Sequence, residues 1–173
     1  SPPIMCSVIS EFLTEIENTN PNLEDFVSIT LGTGLGSGVI VNGQLVYGSN
    51  GLAGEYGHIR VVHDGRDCGC GRKGCLETYA SSTGIVRSID LLDSPNKSTS
   101  ILNLIKKPTA IDIFNSAEKG DKFSQEIIDF TAEIFLRIVP IRFRILSSGP
   151  SVFSILRELV NSFNSLFVSI TSM

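Results

Sequence analysis

Residues 54–77 read GEYGHIRVVHDGRDCGCGRKGCLE, and this stretch holds both histidines and three of the four cysteines of the chain. His58 is separated from Cys68 by nine residues, Cys70 follows two positions later, and four more residues precede Cys75. One imidazole and three thiolates suit tetrahedral Zn²⁺, and closely spaced glycines let the backbone fold tightly around an ion. The sequence therefore predicts a zinc site made by His58, Cys68, Cys70 and Cys75.

Two alternatives to this ligand set remain open from the residues alone. His63 also lies shortly before Cys68, but His58 is favoured because it stands beside Glu55 in the sequence GEYGH. The cysteines could also be buried thiols without a metal. With four protein ligands the ion would have no open position for water, which predicts a structural rather than a hydrolytic role.

Two carboxylates flank the predicted metal site. Glu55 lies three residues before His58, and Glu77 lies two residues after Cys75, so a bound metal would bring both towards one region. Carboxylate acceptors that converge with an imidazole are suited to a polyhydroxylated ligand such as a sugar. Taken one at a time, each glutamate could equally be a surface carboxylate.

Upstream of this stretch, the pattern predicts three consecutive antiparallel strands. A β-branched run over 26–31 leads into the glycine-rich segment 32–38, and Asn42-Gly43 then separates 39–41 from 44–47. Asn-Gly between apolar runs is a strong two-residue hairpin signal, because both residues tolerate positive φ. The glycine segment could cradle phosphate or simply form a hairpin turn, and it matches neither the P-loop nor the dinucleotide pattern.

Apolar residues at helical spacing predict four amphipathic helices. The predicted helices cover about 5–16, 75–89, 109–118 and 121–139. Between them, 48–74 is predicted to be a loop ordered by metal, and 90–108 a loop or a short helix.

Composition restricts the class of protein. The chain has 173 residues, 42% of them hydrophobic, which suits one domain with a sizeable core. A net charge of -4 and a pI near 5.2 argue against nucleic acid as a partner. Clustered cysteines favour a reducing compartment, and neither a signal peptide nor a membrane span is expected, so a cytoplasmic protein without membrane contact is predicted.

Three segments together resemble the ROK family, which contains repressors and sugar kinases such as glucokinases and N-acetylmannosamine kinases. They are ITLGTG at 29–34, GLAGEYGH at 51–58 and CGCGRKGCLE at 68–77. The resemblance covers about 24–136 and implies an α/β fold, an actin-like, ribonuclease-H-like lobe with antiparallel hairpin strands, packed helices and a zinc loop. We expect 1–173 to be a single partial ROK kinase domain with divergent ends at 1–23 and 137–173.

The resemblance also implies roles for particular residues. A hexose such as glucose would be held by Glu55, His58 and Glu77, with His58 binding Zn²⁺ through one ring nitrogen and facing the sugar with the other. Transfer of the ATP γ-phosphoryl group with Mg²⁺ to a sugar hydroxyl is the implied reaction. The implied contacts to the ATP phosphates are Thr30, Gly32, Thr33, Gly34 and Gly36.

The chain departs from the family pattern at both ends. The base aspartate, expected just before the glycine-rich hairpin, is replaced by Pro3 or Cys6, depending on the alignment, and the first phosphate loop is missing. The stretch 142–151 is at best a degraded form of the Gly-Gly turn near adenosine. We therefore expect a truncated or rearranged ROK kinase with little turnover, and no catalytic residue is identified.

Other functions compatible with the sequence are a non-catalytic sugar-sensing module and a zinc-stabilised domain without a ligand. A homo-oligomer is also expected, because an isolated lobe would expose apolar surface.

Overall fold

The computed structural model describes residues 24–137 and 166–168, and it contains an antiparallel sheet with helices packed on it. Strand β1 spans Phe26–Leu31, β2 spans Leu35–Val41, β3 spans Gln44–Leu45 and β4 spans Leu166–Val168. The spatial order is β3-β2-β1-β4. Each neighbouring pair runs antiparallel, so the predicted succession of three antiparallel strands is confirmed.

The two turns of this sheet differ in how closely they follow the sequence pattern. Asn42 and Gly43 have φ values of 51° and 70°, which is the geometry of the predicted two-residue turn. The first turn is only Gly32-Thr33-Gly34, because Leu31 already pairs with Leu35, and the remaining glycines of the run belong to β2. The third strand is shorter than the predicted 44–47, because it ends at Leu45.

Helix α1 spans Glu77–Ala80, α2 spans Ser82–Leu91, α3 spans Ala110–Glu118 and α4 spans Lys122–Leu136. Short 3₁₀ helices cover Tyr56–His58, Pro95–Thr99 and Ile101–Leu104. The single helix predicted over 75–89 is wrong. Ser81 is extended, with φ -70° and ψ 164°, and its hydroxyl accepts from the Gly84 N–H at 3.1 Å, so that it ends α1 and caps α2.

The core lies between the sheet and the helices. Leu31 of the sheet, Ile85 of α2, Phe114 of α3 and Ile127 of α4 are all buried there. The apolar stripe predicted for the last helix is confirmed at Phe123, Ile127 and Ile134, which are buried. The predicted helix at 5–16 and the residues beyond 137 of the last one lie outside the described part of the chain.

No helix in residues 24–137 has the length and apolar character needed to cross a bilayer.

Candidate functional site

The segment from Gly54 to His58 is docked on β2. The Ser37 hydroxyl accepts from the Tyr56 N–H at 2.8 Å and donates to the Gly54 carbonyl. Gly57 leaves no room for a side chain, since a Cβ there would overlap the carbonyl oxygen of Leu35. The 3₁₀ turn Tyr56–His58 begins after Glu55, and the His58 N–H donates to the Glu55 carbonyl at 3.1 Å. Glu55 and His58 therefore stand at the two ends of one anchored turn.

The following loop folds back as a pair of short extended segments. The N–H of Leu76 donates to the Ile59 carbonyl at 2.9 Å, and Arg60 pairs with Cys75. At the tip, the Cys68 N–H donates to the Arg72 carbonyl at 2.9 Å. This pairing returns the chain to His58, which explains how ligands separated by seventeen positions become neighbours.

Four candidate metal ligands converge at this point. One donor atom from each of His58, Cys68, Cys70 and Cys75 lies within 4.8 Å of the others. Nδ1 of His58 is 3.6 Å from the Cys68 Sγ, and the sulfurs of Cys70 and Cys75 are 3.7 Å apart. Tetrahedral zinc with bonds of about 2.0–2.3 Å separates its ligand atoms by roughly 3.3–3.8 Å. The chemistry and spacing of these donors therefore fit a four-coordinate Zn²⁺.

His63, the rival ligand, lies elsewhere. Its ring is exposed, and Nδ1 is 2.9 Å from the Asp64 carboxylate. It is not among the residues that converge on the three cysteines.

Without a bound metal, two thiols of the cluster have very different pKa values. Hydrogen bonds from the backbone and then the side chain of Arg72 lower the pKa of Cys70 to about 6. Burial raises the pKa of Cys75 to about 12. A divalent cation that binds sulfur stabilises the thiolate of every ligand and would remove this difference.

Glu77 connects the metal cluster with the glycine turn. Its Oε2 accepts from the Leu35 N–H at 3.0 Å, and its Oε1 is 3.9 Å from the Cys68 Sγ. The turn can approach this closely because Gly34 has no Cβ to meet the carboxylate. The bond to Leu35 was not foreseen from the sequence, since it joins residues 42 positions apart and depends on tertiary packing.

The five residues expected to contact phosphate lie partly in the strands and partly in the glycine turn. Thr30 and Gly36 face each other in the ladder of β1 and β2, whereas Gly32, Thr33 and Gly34 form the turn. Gly32 and Thr33 line a cavity of about 560 Å³, and Gly34 is approached by Glu77. Pro3 and Cys6, the positions expected for the base, lie outside the described residues.

The cavity beside the glycine turn also involves residues that the sequence reasoning missed. It lies where α2 and α3 begin, and Thr109 caps α3 by accepting from the Asp112 N–H. Ser81 and Thr109 are ordinary helix N-cap residue types, so the two helix starts were open to prediction, although their convergence was not. The lining residues are Leu31, Gly32, Thr33, Ser82, Thr83, Val86, Arg87, Thr109, Ala110 and Ile111.

Sequence comparison finds related sugar kinases. The chain is 42% identical to a glucokinase of Halalkalibacterium halodurans over 113 residues, which is 63% of this chain and 34% of that protein. It is 34% identical to an N-acetylmannosamine kinase of Shigella boydii over 125 residues, or 72% of this chain and 39% of the relative. The chain thus spans between a third and two fifths of these relatives.

Solved structures share the fold. A ROK family glucokinase from Streptomyces griseus, determined in complex with glucose and AMPPNP, matches with a TM-score of 0.56 and 36% identity, over 65% of this chain and 38% of that one. A ROK hexokinase from Thermus thermophilus matches with a TM-score of 0.63 and 21% identity, over 87% and 52% of the two chains. The predicted mixed α/β, actin-like fold class is confirmed.

The family model described as "ROK family" matches residues 5–140, which is more than half of the chain. The three sequence segments that resembled this family form the glycine turn, the turn that ends at His58 and the cysteine loop, all in contact within one site. The chain belongs to the ROK family.

Proposed function

We propose that residues 24–137 form the sugar-recognition part of an ATP-dependent ROK hexose kinase, in which Glu55, His58 and Glu77 hold the sugar hydroxyls. The relatives described as glucokinase and N-acetylmannosamine kinase support a hexose as the substrate class. The complex of the Streptomyces griseus glucokinase with glucose and AMPPNP supports the pairing of a hexose with ATP.

The observation that carries this proposal is the orientation of His58. Its Nδ1 faces the Cys68 thiol at 3.6 Å, and Nε2 makes no hydrogen bond to any residue within the described ranges. A ring held by a metal on one side offers a fixed polar group on the other. Glu55 lies on the same turn, and Glu77 lies beside Cys68, so one imidazole nitrogen and two carboxylates are available to adjacent hydroxyls.

We further propose that Zn²⁺ is bound by His58, Cys68, Cys70 and Cys75. When bound, the ion supplies structural order and a fixed charge beside the imidazole, because its four positions are all filled by protein. The three cysteines need to remain reduced to bind metal, which supports a cytoplasmic protein.

The cavity at the glycine turn is the proposed site for the nucleotide. Its volume of about 560 Å³ is within the range of roughly 300–1,000 Å³ that is usual for small-ligand sites. Leu31, Val86 and Ile111 supply apolar surface suited to a nucleobase, and Arg87 supplies a cation for phosphate. Gly32 and Thr33 of the glycine turn line the same cavity, as expected for a turn that contacts the ATP phosphates and Mg²⁺.

Hexose binding is tested by thermal unfolding of the zinc-loaded chain. Glucose and N-acetylmannosamine are titrated separately, with glycerol as a polyol that is not a hexose. A ligand of the folded state raises the melting temperature with concentration. At least one hexose is expected to stabilise the chain, whereas no shift with either hexose up to high millimolar concentration would contradict the proposal.

Matched variants assign the binding to the site. Glu55→Gln removes a carboxylate charge from the turn, and Glu24→Gln makes the same change at an exposed position before β1. Glu55→Gln is expected to weaken hexose binding about tenfold, since hydrogen bonds to charged groups are stronger than neutral ones. Glu24→Gln is expected to bind like the wild type. Equal affinities for the two variants would remove Glu55 from the proposed site.

The nucleotide part is tested in the same assay with AMPPNP and Mg²⁺. Arg87→Gln is expected to reduce the stabilisation by AMPPNP while the hexose response stays unchanged. A nucleotide response that is absent in the wild type would leave a sugar-binding protein and would contradict the kinase proposal.

A further inference from the structure

Arg66 forms an internal clamp that the proposed contacts to zinc and sugar do not use. It lies in the cysteine loop, two residues before Cys68. Its backbone is bonded in both directions: the N–H donates to the Tyr79 hydroxyl at 2.9 Å, and the carbonyl accepts from the Gly74 N–H at 2.8 Å. The loop can come this close to Tyr79 because Gly65 has no side chain. A Cβ at this position would overlap the Tyr79 hydroxyl.

The side chain of Arg66 crosses from the loop to the helices. Nη1 donates to the carbonyls of Thr78 and Gly84, each at 2.9 Å, and Nη2 donates to the Ser88 hydroxyl at 2.9 Å. The guanidinium lies 4.4 Å from the centroid of the Tyr79 ring, within the range of a cation–π contact. One planar cation therefore joins the cysteine loop to α1 and α2 at their junction.

This junction determines where Glu77 lies. Glu77 is the first residue of α1, a helix of only four residues, and it directly precedes Thr78, whose carbonyl Arg66 holds. Helix α1 ends at Ser81, whose hydroxyl donates to the Glu77 carbonyl and accepts from the Gly84 N–H, which gives one link between α1 and α2. The Arg66 guanidinium forms a second link from outside the two helices, because it bonds Thr78 on one side and Gly84 on the other.

We propose that Arg66 is a positioning residue for the sugar site: by joining the cysteine loop to the α1–α2 junction, it holds the Glu77 carboxylate between the glycine turn and the metal cluster. The inference rests on the proposed function of Glu77 in hexose binding. Arg66 itself does not touch the sugar. Its contribution is to reinforce the placement of a carboxylate that lies on a helix of only four residues.

Lysine cannot replace arginine in this clamp. Three acceptors are satisfied by two nitrogens of one rigid plane that also stacks on Tyr79. An ammonium group is a compact point charge without this fork geometry. Arg66→Lys thus keeps the charge and removes the geometry.

The test uses Arg66→Lys, with Arg60→Lys as the matched control at an exposed position of the same loop. Ser88→Ala, which removes one acceptor of the clamp, is a milder variant that decides the question if Arg66→Lys does not fold. Each is compared with the wild type for zinc content, for hexose affinity and for hydrogen exchange of individual amides.

The Leu35 amide is the readout that does not depend on sugar, because it donates to Glu77 Oε2. In Arg66→Lys, protection of this amide is expected to fall about tenfold relative to Val27 and Ile29 of the central strand, at unchanged zinc content. Hexose affinity is expected to fall by a similar factor. Ser88→Ala is expected to lower the protection of the Leu35 amide and the hexose affinity by a smaller factor. Arg60→Lys is expected to change neither quantity.

Several results would overturn the inference. Unchanged protection of Leu35, or an equal loss at Val27 and Ile29, would leave Arg66 with no specific effect on Glu77. Loss of zinc together with Leu35 protection would place Arg66 in the metal site instead. Loss of protection at the Leu35 amide with unchanged hexose affinity would show that Arg66 does not support the sugar site. If the wild type binds no hexose, the proposed function fails, while the Leu35 amide still reports whether Arg66 positions Glu77.

Discussion

At the scale of single residues, the site depends on close backbone approaches as much as on charged groups. Gly57 illustrates this: its Cα lies so near the Leu35 carbonyl that no side chain fits, and the next residue is His58. The glycine is required because the turn bearing the imidazole packs directly on β2. The turn that carries Glu55 and His58 is therefore held by β2, and the proposed metal would also hold His58.

Gly57→Ala is expected to destabilise the chain by about 1–3 kcal/mol, because the added methyl group forces the turn away from β2. The displacement should also weaken hexose binding through His58. The matched control is Gly69→Ala, since a Cβ at Gly69 meets nothing within 4 Å. Denaturant unfolding of the two variants checks the difference, and equal stabilities would show that the turn adapts without cost.

At the scale of secondary-structure elements, polar caps decide where helices begin. Asp121 is buried at the start of α4, where it accepts from the N–H groups of Ser124 at 2.8 Å and Ile101 at 2.6 Å and from the Ser100 hydroxyl at 3.0 Å. Burial alone would raise the pKa of this carboxyl, but these hydrogen bonds outweigh burial and lower it. Asp121 thus ties the 3₁₀ helix Ile101–Leu104 to α4.

The lowered pKa of Asp121 predicts a pH dependence of stability. A carboxylate with a lowered pKa in the folded state stabilises the protein above its unfolded pKa of about 4 and loses this contribution as the pH falls through the folded value. Asp121→Asn is expected to be less stable at neutral pH and to lose less stability than the wild type in acid.

Thermal unfolding between about pH 6 and pH 2 measures this dependence. Asp129→Asn, at an exposed position of the same helix, is the control and should follow the wild-type curve. Parallel curves for Asp121→Asn and the wild type would contradict the assignment.

At the scale of the whole molecule, the cysteine loop has little apolar core of its own. It packs on the helices through Arg66 and Tyr79, while Cys70 and His63 are exposed. A metal would supply the order that burial does not. Removal of the proposed Zn²⁺ should therefore affect both stability and sugar binding, because the same loop bears the ligands and positions Glu77.

Cys75→Ser is expected to lose bound zinc and to lower the melting temperature, whereas His63→Gln should keep one zinc per chain, since the exposed His63 is not part of the four-residue cluster. Elemental analysis and thermal unfolding measure both effects. Treatment of the wild type with a chelator should reproduce the Cys75→Ser result and reduce hexose affinity. Full zinc content in Cys75→Ser would contradict the proposed ligand set.

Turnover by this chain is expected to be low. Neither Pro3 nor Cys6 carries the carboxylate expected for the general base, a group that contributes about 10²–10⁴ to the rate. A coupled ADP-release assay beside the Halalkalibacterium halodurans glucokinase measures the difference. Pro3→Asp and Cys6→Asp separate the two alignments, since only the correctly placed aspartate should raise the rate. Wild-type rates equal to those of the glucokinase would contradict this expectation.

The amino-acid sequence alone was sufficient for features that depend on local spacing. The Asn42-Gly43 turn and the apolar stripe of α4 follow from neighbouring residues, because turn chemistry and helical periodicity act over a few positions. Family membership follows from three sequence segments, each of which is recognisable without the structure. The convergence of His58 with the three cysteines was predicted from donor chemistry, and the structure brings the same four residues together.

Only the tertiary structure decided the contacts between distant segments. The bond from Leu35 to Glu77, the clamp of Arg66 and the cavity where α2 and α3 begin join residues that no local pattern connects. The break at Ser81 was missed although serine is an ordinary N-cap residue type, because apolar residues at helical spacing continue across it. The sequence shows which side chains can bind a metal or a hydroxyl group. Which carboxylate reaches which amide depends on how the loop, the sheet and the helices pack together.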